Sequence, residues 1–319
     1  MRKELPKGIA HTAETKRWAT NEAVASWRAH RLRCNTLIEI GCGIGMQTRA
    51  FAHTCDKVIA IERDPEKLAL AKQNCKAKNV SFVQGDGLKL LAQLQGNVVF
   101  CDPSRPETSK ERSIEELSPN IRELLTVCQQ NDIPLAVELP PQIRNIPFLC
   151  EREYVAYHSM LNRLTAYTGT LQKAAASAVD LPQGNVISGK PGPPIAGVID
   201  GFLCELSPAV VRAGLSYLIG PTVTDGKATF VTQRTSSKHV VTSYRVVAHC
   251  RDKREVREIL SKKGFGKALL RVRVPSDQYW TLRKELESGL EGEQQAVIFQ
   301  ISGQWYVCQK NKDTNESRT

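Results

Sequence analysis

The sequence has no apolar run approaching the ~18 residues that a membrane-spanning helix needs, and its opening Met1-Arg2-Lys3-Glu4 leads into no signal-peptide core. A membrane or secreted protein is not expected; a cytoplasmic one is. A C-x-x-C pair is also missing. Ten cysteines are scattered from Cys34 to Cys308, and several, such as Cys101 and Cys204, sit inside apolar runs. With no clustered ligands, no metal site is expected, and reduced, partly buried thiols are the simplest account. Acidic residues are in deficit: 33 Asp and Glu face 44 Lys and Arg, for a net charge of +11 and a pI near 9.2. That balance favours a polyanionic partner, of which nucleic acid is the commonest. Hydrophobic and charged fractions of 41% and 24% are those of a soluble globular chain, and 319 residues leave room for two domains.

A further absence is the G-x-G-x-x-G that prepares a helix start for a pyrophosphate. The chain instead reads Glu39-Ile40-Gly41-Cys42-Gly43-Ile44-Gly45 after the apolar run Leu37 to Ile40, and a helical pattern follows from Met46 to His53. Glycines between a strand and a helix allow a sharp turn and a close backbone approach to a ligand. A second apolar run, Lys57 to Ile61, ends in Glu62; a third, Val80 to Val83, leads to Gly85-Asp86-Gly87. These are βαβ units, whose ligand lies at the carboxyl ends of the strands. Glu62 is placed to accept hydrogen bonds from the two hydroxyls of a ribose, and Asp86 from an exocyclic adenine amine. The bland alternative is a doubly wound domain whose glycines serve only tight turns.

On Glu39 to Gly45, Glu62 and Asp86, in that order and spacing, the sequence resembles the class I S-adenosylmethionine (SAM) methyltransferases. The resemblance implies a Rossmann-like α/β sheet, SAM as cofactor, and Glu39, Gly41, Gly43, Gly45, Glu62 and Asp86 as its binding residues.

Residues 1–35 are polar and helix-forming, with helices expected over Thr12 to Trp18 and Asn21 to Leu32. Trp27 shares a helical stripe with Ala23 and Val24, which points to core. Thr12 and Thr20 are candidates to reach the SAM pocket. Asn97 to Cys101 reads as a fourth strand that delivers Asp102-Pro103-Ser104-Arg105-Pro106-Glu107. In the superfamily this loop faces the methyl group, so Asp102 would orient the acceptor, Pro103 would stiffen the loop and Arg105 would hold a phosphate or base edge. The alternative is a turn capped by Asp102 in which Arg105 pairs with Glu107. Ser104-Arg105 stands where N-P-P-Y enzymes carry a stacking aromatic. The fifth strand, Pro134 to Glu138, runs into Leu139-Pro140-Pro141 without the cysteine that carbon-5 uridine methyltransferases use. Direct transfer to a nitrogen or oxygen is therefore expected.

A crossover helix is expected over Ile114 to Gln130, interrupted near Ser118-Pro119. Two further strands are expected at Glu153 to Tyr157 and Leu161 to Thr168, then a long loop or hairpin over 180–201. A strand from Phe202 enters a helix at Ser207-Pro208. With Leu139-Pro140-Pro141, and with Lys262-Lys263-Gly264-Phe265-Gly266 and Trp305 to Cys308 further on, nearly the whole chain is similar to class I methyltransferases that carry a C-terminal THUMP-like domain. The domain reading is 1–35 leading helices, 36–242 methyltransferase domain, 243–311 basic THUMP-like α+β domain and 312–319 disordered tail.

Within the last domain, Arg251 to Arg273 holds nine basic residues against three acidic. Lys262, Lys263 and Lys267, beside flexible glycines, suit phosphate contacts. Arg271-Val272-Arg273-Val274 places both arginines on one strand face. These five are the expected nucleic-acid-binding residues, and RNA (tRNA or rRNA) is the expected partner, implied by THUMP only by analogy. Two other functions remain open: a methyltransferase of a small molecule or protein, and a non-catalytic RNA-binding protein on a SAM-binding scaffold.

Overall fold

Capping fixes where the chain first becomes helical. Thr12 Oγ1 accepts from the Thr15 amide at 3.1 Å while Thr15 Oγ1 accepts from the Thr12 amide at 2.9 Å, a reciprocal box that starts α1 (Ala13–Trp18). Asn21 caps α2 (Glu22–Arg31) without such a box, its Oδ1 accepting from the Ala23 amide at 2.9 Å. The computed structural model describes residues 5–105 and 113–311. Pro106, Glu107 and the expected tail at 312–319 lie outside them. Two compact units divide the chain, Met1–Lys190 and Pro191–Thr319.

The first unit continues with β1 (Thr36–Ile40), α3 (Met46–Ala52), β2 (Lys57–Glu62), α4 (Pro65–Asn74), β3 (Val80–Gln84), α5 (Gly87–Leu91), β4 (Val98–Cys101), α6 (Ile121–Gln130) and β5 (Leu135–Leu139). Four more strands complete it: β6 (Glu151–Tyr157), β7 (Met160–Tyr167), β8 (Ala176–Leu181) and β9 (Asn185–Gly189). They form one sheet in the order β3-β2-β1-β4-β5-β7-β6-β8-β9. The first five run parallel, and β7 turns antiparallel against β5. Strand order reverses direction between β1 and β4, so the crevice for a ligand opens beyond Ile40 and Cys101. The expected Rossmann-like sheet is present. The segment expected as loop or hairpin at 180–201 begins as the β8–β9 hairpin. The expected crossover helix is a 3₁₀ turn at Ile114–Glu116 followed by α6.

Strands buried on both faces make the core continuous. Leu37, Val58 and Phe100 are fully buried, and Phe51 of α3 meets Phe100 edge-on at 5.3 Å between centroids. Each such side chain contributes about 1.5–3 kcal/mol relative to an exposed one. Trp27 packs beside Val24 and Val155, and its indole donates to Glu153 Oε1 at 3.2 Å, so it is core as expected. Glu153 also accepts from the Tyr167 hydroxyl at 2.9 Å, and Arg31 pairs with Glu151 at 2.6 Å over the Tyr167 ring. This buried network fastens α2 to the strands β6 and β7. All ten cysteines are free thiols, eight of them buried and Cys34 and Cys150 half-buried.

The second unit contains β10 (Phe202–Leu206), α7 (Pro208–Ala213), β11 (Thr222–Thr224), β12 (Thr229–Val231), β13 (Val240–Cys250), α8 (Lys253–Lys262), β14 (Phe265–Arg271), α9 (Ser276–Glu287), β15 (Gln294–Ile301) and β16 (Gln304–Lys310). Its sheet runs β11-β12-β10-β13-β16-β15-β14. Helices α8 and α9 bury Val256, Leu260, Leu282 and Leu286 in a core with Leu270, Ile298 and Val307 of this sheet. A second cluster gathers Phe230, Tyr244 and Phe299. The α+β character expected here is present, but its boundary is corrected. A division at 242/243 falls inside β13, the strand onto which β10 zips with Cys204 opposite Ser243. That pairing draws β10, β11 and β12 into the second unit, so the units part at Lys190 and Pro191.

Candidate functional site

The loop after β1 turns on left-handed backbone. Gly41 has φ +80° and Gly45 φ +83°. A Cβ at Gly41 would stand 2.9 Å from the Asp102 carbonyl oxygen, and one at Gly45 would press on the Ala71 backbone of α4 at 3.1 Å. No side chain fits either position without displacing main chain. The Gly41 and Cys42 amides both donate to the Ile61 carbonyl, at 2.9 and 3.1 Å, which folds the loop against the end of β2.

There Glu62 joins two loops. Its Oε2 accepts from the Gly43 amide at 2.9 Å and its Oε1 from the Asp64 amide at 3.0 Å. A carboxylate offers about four lone-pair sites, so two remain after these bonds. Asp86 caps α5, Oδ1 accepting from the Leu88 amide at 3.0 Å and the Lys89 amide at 3.4 Å. Glu39 lies beneath the loop, 1% exposed, with the Thr48 hydroxyl donating to it at 2.6 Å.

Burial is the main reason that the Glu39 carboxyl is pushed up to about 8; Asp102 adds to the effect and the Thr48 hydrogen bond opposes it. The folded protein thus keeps a proton that the unfolded chain releases in the ordinary carboxylate range. This contribution to stability is complete below that range and is lost as pH rises from there through about 8. Glu39→Gln cannot titrate and keeps an oxygen for Thr48. In urea unfolding it should lose clearly less stability than the intact protein between about pH 5 and about pH 8.5; equal losses would refute this account of Glu39.

Asp102 follows β4, half-buried, its amide donating to the Ile40 carbonyl at 3.2 Å. Pro103 is half-buried beside it. Ser104 exchanges backbone hydrogen bonds with Ser118, both 2.9 Å, tying this loop to the approach of α6. Arg105 is exposed; its alternative partner Glu107 lies outside the described residues. A cleft of about 1020 Å³ brings Glu39, Gly41, Gly43, Glu62, Asp86, Asp102, Pro103 and Arg105 to one surface, whereas Gly45 does not line it and packs toward Ala71 of α4. The cleft is at the upper end of ligand-site volumes, with room for a cofactor and part of an acceptor. Thr20 also lines it, whereas Thr12 is spent on capping and Thr15 takes the place expected for it.

Sequence reasoning missed the cleft's back wall. Arg28 of α2, 2% exposed, is paired with Glu138 of β5, donates to Gln47 Oε1 at 2.8 Å and lies over the Phe100 ring. Burial is the largest single influence and works against the Arg28 cation, but Glu138, Tyr167, Asp102 and Glu153 together outweigh it and the pKa is raised. Arg163 of β7 approaches the other Glu138 oxygen at 3.5 Å. The one available signal was the carboxylate inside the apolar Leu135–Leu139, since a buried charge requires a partner.

The five basic residues expected to bind nucleic acid divide. Lys262, Lys263 and Lys267 are exposed, and none is paired with a carboxylate among the described residues. Arg271 instead bonds Glu205 at 2.7 Å and Asp225 at 3.3 Å, between the Phe230 and Phe299 rings. Arg273 donates to the Asp225 carbonyl at 3.1 Å. Alternation gave the two arginines one face; the Asp225 turn lies over the half-buried Arg271, a structural cation, while Arg273 stays exposed. Of the other basic residues, Arg251 pairs with Glu255 and Arg254 with Glu258. Among the described residues no cluster of His, Cys, Asp or Glu could hold a metal ion, and no helix is long and apolar enough to cross a membrane.

Residues 37–126 match a family model described as a methyltransferase domain. Over 63 residues the chain is 38% identical to a protein of Thermococcus sibiricus named a probable ribosomal RNA small subunit methyltransferase A, covering 20% of this chain and 23% of that one. Over 79 residues it is 32% identical to an uncharacterized RNA methyltransferase of Clostridium acetobutylicum, covering 23% of this chain and 17% of the relative. The chain thus spans less than a quarter of the length of these curated relatives. A crystal structure from Porphyromonas gingivalis W83, described provisionally as a methyltransferase, shares the fold with a TM-score of 0.74 over 94% of this chain and 83% of its own, at 16% identity.

The cleft suits SAM. At the start of α3 the Gln47 and Thr48 side chains are taken up by Arg28 and Glu39. The glycine turn, where no Cβ stands in the way at Gly41 or Gly43, and the lone pairs left on Glu62 match an amino acid and a ribose diol. Residues 37–126 therefore form a methyltransferase domain of the class I type, with S-adenosylmethionine as its cofactor.

Proposed function

We propose that the protein methylates a nitrogen or oxygen of structured RNA, tRNA or rRNA, by direct transfer, and that its second unit serves as a THUMP-like RNA-binding module. The observation that carries the reading is that the half-buried Asp102 lines the same cleft as Gly41, Glu62 and Asp86, with its backbone packed against the Gly41 turn. Bound SAM supplies an electrophilic methyl group. Glu62 holds its ribose and Asp86 its adenine, while the turn at Gly41, Gly43 and Gly45 receives the methionine end. Asp102 accepts a hydrogen bond from the acceptor and fixes its approach, Pro103 stiffens that loop, and Arg105 holds a phosphate or base edge. Methyl displacement asks chiefly for alignment, which such positioning provides. RNA as substrate is supported by the net charge of +11, by the exposed Lys262, Lys263 and Lys267, and by the RNA methyltransferase names of the partial relatives.

The test is transfer of label from methyl-tritiated SAM to total RNA from a strain lacking the gene. The intact protein should label RNA, and Asp102→Ala should lower the rate by about a hundredfold or more. An intact protein that binds SAM and leaves RNA unlabelled would overturn the reading in favour of a small-molecule or protein substrate.

A further inference from the structure

Trp280 is 61% exposed and is the one aromatic side chain left open among the described residues of the second unit. Its ring is nonetheless held. Tyr279 meets it edge-on at 5.4 Å, and the Arg283 guanidinium, tied to Glu287 at 3.0 Å, sits 5.5 Å from the ring centroid. Beside the ring lies a hollow of about 340 Å³ with Leu270, Val272 and Val274 in its lining and Lys227 on its rim.

Lys227 belongs to a turn that is rigid before any ligand arrives. Asp225 Oδ1 accepts from the Lys227 and Ala228 amides at 2.8 and 2.7 Å, and the Arg273 guanidinium lies directly over Gly226 while bonding the Asp225 carbonyl. The Lys227 ammonium is exposed and has no carboxylate partner among the described residues. A hollow of mixed aliphatic and polar lining, with a fixed aromatic wall and at its rim one cation that has no carboxylate partner among the described residues, suits a flat ring attached to an anion.

We propose that this hollow is a stacking site for one unpaired nucleobase of single-stranded RNA, with the indole of Trp280 against the base and Lys227 at its phosphate. Charge favours this occupant over a peptide: residues 191–311 carry 17 Lys and Arg against 11 Asp and Glu. Stacking on an aromatic wall needs a base released from its duplex, so the site selects single strands, and it is tolerant of sequence. The hollow shares no lining residue with the methyl-transfer cleft, and its occupation requires no SAM.

Fluorescence anisotropy of a labelled short oligouridylate, without SAM, tests the assignment on the full chain. Trp280→Ala should weaken binding by about tenfold or more, whereas Trp280→Phe, which keeps a ring, should stay within about threefold. Lys227→Ala should flatten the dependence of log Kd on log salt by about 0.7, the share of one phosphate on a single strand. An RNA duplex of equal length should bind Trp280→Ala and the intact protein alike. No binding of the oligouridylate by the intact protein, an unchanged Kd in Trp280→Ala, or an equal loss on the duplex would each overturn the proposal. Because SAM is absent, failure of methyl transfer leaves this result readable.

Discussion

Arg28→Ala should destabilise the protein by about 3–5 kcal/mol, the cost of leaving a buried carboxylate without its cation. Arg28 and Glu138 are 2% and 4% exposed, so water does not replace the lost partner. Arg163 does not rescue Glu138 either, since its Nε stands 3.5 Å from the other carboxylate oxygen without a hydrogen bond. Gln47 also loses its donor, and Phe100 the cation over its ring. The pair itself is a poor source of stability, because desolvating both ions offsets most of their attraction. The double change Arg28→Met with Glu138→Leu should therefore recover most of the deficit. Urea unfolding followed by circular dichroism measures both variants. A loss below about 1 kcal/mol in the single variant, or a double variant no better than the single one, would contradict this view of the wall.

Glu62→Gln should weaken SAM binding by about 10- to 100-fold, as expected for hydrogen bonds made by a charged acceptor. The substitution looks conservative and is not. Both carboxylate oxygens already take a backbone amide, one from Gly43 and one from Asp64. A glutamine has a single acceptor oxygen, so its amino group must face one of those two N–H donors. Either the glycine turn or the loop after β2 is pushed away, and half the acceptor capacity for the ribose is gone. Titration calorimetry reads the affinity directly. Binding within about threefold of the intact protein would mean that Glu62 organises the loops without touching the cofactor.

What was legible in the sequence was what lies close together along the chain. Gly41, Gly43, Gly45 and Glu62 could be read because a strand, a turn and a helix impose their own spacing, and the carboxylate ends the very next strand. Arg28 and Glu138 were invisible because 110 residues separate them and nothing local announces which strand α2 will cover. The unit boundary was misplaced for a similar reason: pairing of β10 with β13 is a long-range decision. Arg271 was read by alternation, which tells which side of a strand a residue takes but not what lies over that side.

That clamp bears on how the sequence can drift. Arg271 satisfies Glu205 and Asp225 together between two aromatic rings. A lineage that loses any one of the three ions inherits an uncompensated charge in a half-buried place, while a lineage that trades all three for apolar residues does not. Substitution at 205, 225 and 271 should thus be concerted across descendants, with intermediates purged. Lys262, Lys263 and Lys267, exposed and paired with no carboxylate among the described residues, place no such concerted demand on folding.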